Sequence, residues 1–211
     1  MKKLKKILLI NWLYFSKELI EVGDINFLTG KNGAGKSTVI DALQIVLLGE
    51  TNARNFNQAA NEKSQRTLEG YLRADMDDNS PYSRRGKDFS TYIVCEFQDE
   101  MEGSSFVTGV TFDCRSDGSY RDTFFIYTGT LPENCFIEQG EAMDFCTSPF
   151  FEAELCTGRI LRYSKRVSPQ HACKVERPQR AGLTDDEEGC FVPANCGYPK
   201  IYYGEHLRYS G

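Results

Sequence analysis

Apolar positions in the first fifty residues fall in short runs separated by turn chemistry. Residues 7–13 (ILLINWL) form an apolar run of strand length, and 17–22 (KELIEV) a second, with Tyr14–Ser16 as the tight connection. Gly23-Asp24 supplies the next turn, and Ile25–Thr29 predicts a short apolar strand that enters Gly30 directly. From Lys36 the period changes. Val39, Ile40, Leu43, Val46 and Leu47 recur at helical spacing, and Gly49 closes that helix as its C-terminal cap. Residues 50–90 are polar, with one helix predicted at about 61–73 (NEKSQRTLEGYLR). Strand signals return at Thr91–Phe97, Phe106–Cys114 and Asp122–Thr128, the last two joined through Asp117-Gly118, a hairpin turn pair. This order predicts an α/β fold with an antiparallel meander and no repeating βαβ array. Beyond about Met143 no period of 2 or 3.6 is sustained, so the last ~65 residues read as irregular.

Composition narrows the class. Among 211 residues, 40% hydrophobic and 12% aromatic side chains suffice for a packed core, which argues against disorder. A net charge of −5 excludes a globally basic, DNA-coating surface while leaving room for a local basic groove. Lysines ahead of an apolar stretch resemble a secretion signal, but Asn11 interrupts that stretch and no small-residue cleavage site follows. No run approaches the ~18 apolar residues of a membrane span. The expectation is a cytoplasmic chain without membrane association, its eight cysteines reduced.

Those cysteines thin out early and crowd late: Cys95, Cys114 and Cys135, then Cys146, Cys156, Cys173, Cys190 and Cys196. With His171 and His206 they could in principle ligate zinc. No C-x2-C pair exists, however, and the spacings match no usual zinc module. No nucleophile–base–orienter set can be assembled from two histidines without supporting pattern, so no catalytic residue is assigned.

The motif that carries chemistry is Gly30-Lys31-Asn32-Gly33-Ala34-Gly35-Lys36-Ser37, a full match to G-x-x-x-x-G-K-[ST], followed by Thr38. The glycines tolerate positive φ, so successive backbone N–H groups can turn inward around a phosphate. Lys36 brings a point charge to the β- and γ-phosphates, Ser37 offers a hydroxyl to Mg2+, and the helix beginning there directs its positive end at the same anion. Gly30 to Thr38 are therefore the expected ATP site, with Mg2+ held at Ser37 through the nucleotide. A second strand ending in a carboxylate would complete hydrolysis. Asp99-Glu100, after Thr91–Phe97, is the one candidate, and it reads as a half-exposed strand running into a solvated turn. Asn61-Glu62-Lys63-Ser64 does not fit the N-K-x-D of GTPases, and Asp186–Gly189 matches D-x-x-G by letters only.

The stretch from Ile7 to Gly49 resembles the N-terminal head segment of ABC-type chromosome-maintenance ATPases, the SMC, Rad50/SbcC and MukB proteins. Shared features are the paired strands, Asn11-Trp12, the loop itself and the D-A-L helix after it. NEKSQRTLEGYLRAD, TYIVCEFQDE and SDGSYRDTFFIYTGTLPENCFIE are more specifically similar to the large ATPase subunit of Wadjet-type anti-plasmid condensins. The resemblance covers residues 1–145 and implies a P-loop ATPase N-terminal lobe that dimerises around ATP and acts on double-stranded DNA. It also implies a C-terminal ATPase half beyond a coiled coil, carrying Walker B and the signature motif, and kleisin-like partner subunits. Neither motif is found here, so hydrolysis by this chain alone is not expected. Residues 146–211 depart from the pattern, and their Cys/Pro/Arg mixture resembles a frameshifted or truncated end. The competing readings are a small stand-alone P-loop kinase or NTPase, and a non-catalytic remnant. Lys63, Arg66, Arg73, Arg84, Arg85 and Lys87 form a locally basic stretch that reads as solvated surface more readily than as a DNA contact. The family's Q-loop glutamine has no clear place; Gln98 and Gln139 read as ordinary surface residues.

Overall fold

A computed structural model of the chain describes residues 1–52, 56, 67–75, 81–145, 147–156 and 159–163. Two strands open it, β1 (Lys2–Trp12) and β2 (Phe15–Glu21), followed by the helices α1 (Lys36–Leu48) and α2 (Leu68–Arg73). A meander of β3 (Phe89–Asp99), β4 (Ser105–Cys114) and β5 (Tyr120–Thr128) comes next. The short hairpin β6 (Ile137–Glu138) and β7 (Glu141–Ala142) leads to α3 (Pro149–Cys156) and β8 (Ile160–Tyr163). Among the described residues, six strands make one sheet in the order β2-β1-β3-β4-β5-β8, every neighbouring pair antiparallel.

The unbroken apolar run of β1 follows from its central place. Alternate side chains of a strand leave opposite faces, and both faces are covered here. Ile7, Leu9 and Trp12 pack with Val39, Ala42, Ile45 and Val46 of α1 and with Leu68, Tyr71 and Leu72 of α2. Leu8 and Ile10 pack on the other face with Tyr92, Val94, Phe125, Phe136, Phe145 and Phe151. The same logic makes β3 more buried than the half-exposed strand expected from Glu96 and Gln98. Glu96 is only 8% exposed, and its carboxylate accepts the backbone N–H of Leu131 at 2.7 Å. A buried carboxyl of this kind persists because it is hydrogen-bonded.

The predicted helix at 61–73 is present as α2 from Leu68, started by the Thr67 side chain, which accepts the N–H of Gly70; residues 61–66 lie outside the described residues. Two expectations need correction. Ile25–Thr29 forms no strand: it is irregular, pairs with no strand among the described residues, and leaves Ile25 and Phe27 80% and 84% exposed. An apolar run signals burial only where a neighbour exists to bury it. The chain is also not irregular from residue 146 onward, because α3 and β8 extend the fold to Tyr163. These elements are too short to carry a period. Their anchor is one ring, Phe151, fully buried and 4.3 Å from Phe145. Residues 164–211, with His171, Cys173, Cys190, Cys196 and His206, lie outside the described residues.

Candidate functional site

The loop Gly30–Ser37 bends where its glycines permit. Gly30, Gly33 and Gly35 take φ of +147°, +84° and +85°, values that L side chains rarely adopt. Gly35 is the left-handed N-cap of α1, and no side chain caps that end; the first turn also holds no acidic residue. The N-cap thus offers the leading N–H groups of α1 no side-chain acceptor, at the end of a 13-residue helix whose dipole favours an anion. Residues 30–34 are exposed and 35–37 half-buried, so a ligand can reach them. Lys36 folds back on its own loop, donating from Nζ to the carbonyls of Gly30 at 2.6 Å and Lys31 at 2.8 Å. Both acceptors are neutral carbonyls. An anionic oxygen makes a stronger partner for the ammonium, since charge-assisted hydrogen bonds are roughly twice as strong as neutral ones.

The loop is gripped from the β1–β2 turn. Trp12 pairs with Phe15 across the two-residue connection Leu13-Tyr14. Trp12 Nε1 donates to the carbonyl of Thr38 at 3.0 Å, in the first turn of α1. The Phe15 ring lies against Gly35 so closely that a Cβ there would sit 2.9 Å from its Cζ. Leu13 holds an uncommon φ of +50°, its N–H given to the Tyr71 carbonyl and its own carbonyl taken by Arg84. Tyr71 in turn stacks on Trp12 and donates its hydroxyl to Asp41 of α1. None of Phe15, Asp41 and Tyr71 stood out in the sequence as part of the site. Asp41 carried a signal: it is a carboxylate on the face of α1 that buries Thr38, Val39, Ala42, Ile45 and Val46.

Other candidate residues lie elsewhere. Asp99 pairs with Lys2 at one end of β1, whereas Trp12, at the other end, touches the P-loop helix. Lys2 and Trp12 are ten positions apart along the strand, about 33 Å at ~3.3 Å per residue. Asp99 instead accepts the N–H of Met101 in the β3–β4 turn and sits 3.7 Å from the N-terminal ammonium. That turn is solvated, as expected. Gln98 pairs with Lys3 and Ser105 at the same far end, and Gln139 sits at φ +51° between β6 and β7. The basic stretch is only in part the solvated face its sequence suggested: Arg85 and Lys87 are exposed, whereas Arg73 and Arg84 turn inward. Arg73 is buried and donates to the Arg115 carbonyl at 3.0 Å; Arg84 turns inward onto the carbonyls of Leu13 and Leu72 and over the Phe89 ring. Arg85 stays exposed, paired with Asp75, and Lys63 and Arg66 lie outside the described residues. No group of three or more His, Cys, Asp or Glu suited to a metal ion occurs among the described residues. No helix there is long and apolar enough to cross a membrane.

The loop and its flanking elements agree with an independent comparison. A family model described as the P-loop containing region of AAA domain matches residues 4–63, from β1 through α1 and beyond. A comparison with curated proteins gives no match. The chain carries a P-loop NTPase segment in a mixed α/β fold with an antiparallel sheet, and such a segment points to nucleotide binding.

Proposed function

We propose that this chain is the ATP-binding N-terminal lobe of an SMC/Rad50-like chromosome- or plasmid-maintenance ATPase that acts on double-stranded DNA, of the Wadjet condensin kind. Its nucleotide site is completed by a separate C-terminal half. In this reading, N–H groups of Gly30–Thr38 surround the phosphates, and Lys36 exchanges the Gly30 and Lys31 carbonyls for β- and γ-phosphate oxygens. Ser37, in the first turn of α1, would hold Mg2+ arriving with the nucleotide, and the ion would neutralise phosphate charge there. Asp41 is not a second ligand in this scheme, because it is buried and accepts the Tyr71 hydroxyl.

One observation carries the composite reading. The segment leading into the loop is an apolar run without a strand neighbour among the described residues, its Ile25, Phe27 and Leu28 exposed by 80%, 84% and 50%. Burying a large apolar side chain contributes about 1.5–3 kcal/mol. Three such side chains beside a phosphate loop therefore favour docking of a second body carrying its own strand. The absence of a carboxylate near Ser37 among the sequence candidates points the same way, since Asp99 is at the far end of β1.

The nucleotide half of the reading is tested by equilibrium binding of MgATP to the 211-residue chain and to Lys36→Ala. Binding weakened about a hundredfold by the substitution is expected for the loss of a charged phosphate contact. Absence of binding at millimolar nucleotide, or equal affinity for both proteins, contradicts it.

A further inference from the structure

Helix α1 is anchored twice on its buried face, by two rings that lie on one another. Trp12 donates to the Thr38 carbonyl at 3.0 Å, and Tyr71 donates to the Asp41 carboxylate three residues further along. The rings stack at 4.7 Å with 12° between their planes, and Phe56 meets Tyr71 edge-on at 5.3 Å. Trp12, Asp41 and Tyr71 are at most 1% exposed.

Packing alone does not require this arrangement. A leucine against a phenylalanine would fill the same interior space without burying a carboxylate, and apolar replacements of buried polar pairs are often neutral or stabilising. A directional bond differs from packing in that it fixes rotation. Anchors at Thr38 and Asp41 lie within one turn of the helix, so together they set the angle of α1 about its own axis. That angle decides where its first N–H groups point.

We infer that Asp41 and Tyr71 are positioning residues for the phosphate site, holding α1 at the rotation that aims its leading N–H groups into the Gly30–Ser37 loop. The inference rests on the nucleotide reading above and names the side chains that set its affinity. Both residues are buried and bonded to each other behind the helix, not to the loop. Tyr71 also carries the hairpin tip, through its carbonyl to the Leu13 N–H at 2.9 Å. One residue thereby holds the helix through its hydroxyl and, through its backbone, the turn that presents Phe15 to Gly35.

The test uses the full chain with two variants. Tyr71→Phe keeps the ring and removes the bond donated to Asp41. Tyr71→Phe combined with Asp41→Leu removes the buried carboxylate as well and makes the contact apolar, a replacement that is often neutral or stabilising. Two readouts are taken: amide hydrogen exchange of residues 35–39 without nucleotide, and MgATP affinity. Positioning predicts exchange in that turn faster by about tenfold or more in both variants, and affinity lower by about tenfold, even where the double variant unfolds at the wild-type denaturant midpoint. A double variant with wild-type exchange and wild-type affinity overturns the inference and leaves nucleotide binding standing. Wild-type protein that binds no MgATP overturns the nucleotide reading and the inference with it, whatever the exchange shows.

Discussion

Replacing Gly35 by alanine separates two costs that the structure lets one calculate apart. The first is conformational. At φ +85° an alanine occupies left-handed backbone, a penalty of about 1–2 kcal/mol. The second is steric. The new Cβ would lie 2.9 Å from Phe15 Cζ, where carbon atoms ordinarily rest ~3.5–4.0 Å apart. Phe15 is half-buried, and its ring end can tilt away, so this term falls at the low end of the overpacking range, about 1 kcal/mol. Gly35→Ala should therefore destabilise the fold by about 2–3 kcal/mol. Gly33→Ala isolates the first term. Its φ is +84° and a Cβ there meets nothing within 4 Å, which predicts a loss of about 1–2 kcal/mol. In a Phe15→Leu background, Gly35→Ala should cost about 1 kcal/mol less than it does with Phe15 present. Urea unfolding followed by fluorescence suits the measurement, because Trp12 is the chain's one tryptophan and is fully buried. Equal losses for Gly33→Ala and Gly35→Ala, with no coupling to Phe15→Leu, would refute the claim that the hairpin turn grips the loop.

Phe151→Ala removes a ring stacked on Phe145 and in contact with Phe136 and Tyr92, and should cost about 3–5 kcal/mol in the same unfolding assay; a loss under ~1 kcal/mol would mean that α3 contributes little to the core. Burial pushes the thiols of Cys95 and Cys114 up to about 12, so native-state alkylation at both, followed by peptide mapping, should run about a thousandfold slower than for an exposed thiol. Labelling at the exposed-thiol rate would contradict their placement. For Asp113, burial raises the carboxyl above its usual range, with Asp144 adding to it against the donors Ser90, Phe145 N–H and Arg121. The folded state then holds a proton that the unfolded chain releases, so this group's stabilising contribution is present at acid pH and lost as pH rises through its folded pKa. Asp113→Asn should accordingly gain stability relative to wild type as pH rises from about 4 to about 7. Parallel stability curves for the two proteins would rule this out.

What was legible in the sequence was local, and what was missed depended on distant neighbours. The loop letters and the helical spacing from Lys36 to Gly49 act within a dozen residues, and the structure places the helix and its left-handed Gly49 cap there. The β3–β5 meander was readable from alternation and from Asp117-Gly118. Local apolarity predicts a strand at Ile25–Thr29, yet a strand is defined by a partner, and none among the described residues pairs with it. The inward turn of Arg73 and Arg84 was invisible for a related reason, since their acceptors lie 42 and 71 residues away in sequence. The grip on the loop was missed likewise. Phe15 meets Gly35, and Trp12 meets Thr38, only once the hairpin register and the helix are both in place.

The steady-state ATPase rate of the purified chain tests most directly whether the phosphate loop binds nucleotide but needs a second half for turnover. The rate is measured alone and after addition of a C-terminal half of an ATPase of the proposed kind. No turnover above background alone, with Lys36-dependent activity on addition of that half, is the predicted result. Turnover by the isolated monomer that disappears in Lys36→Ala would contradict it, because the hydrolytic carboxylate would then lie within these 211 residues.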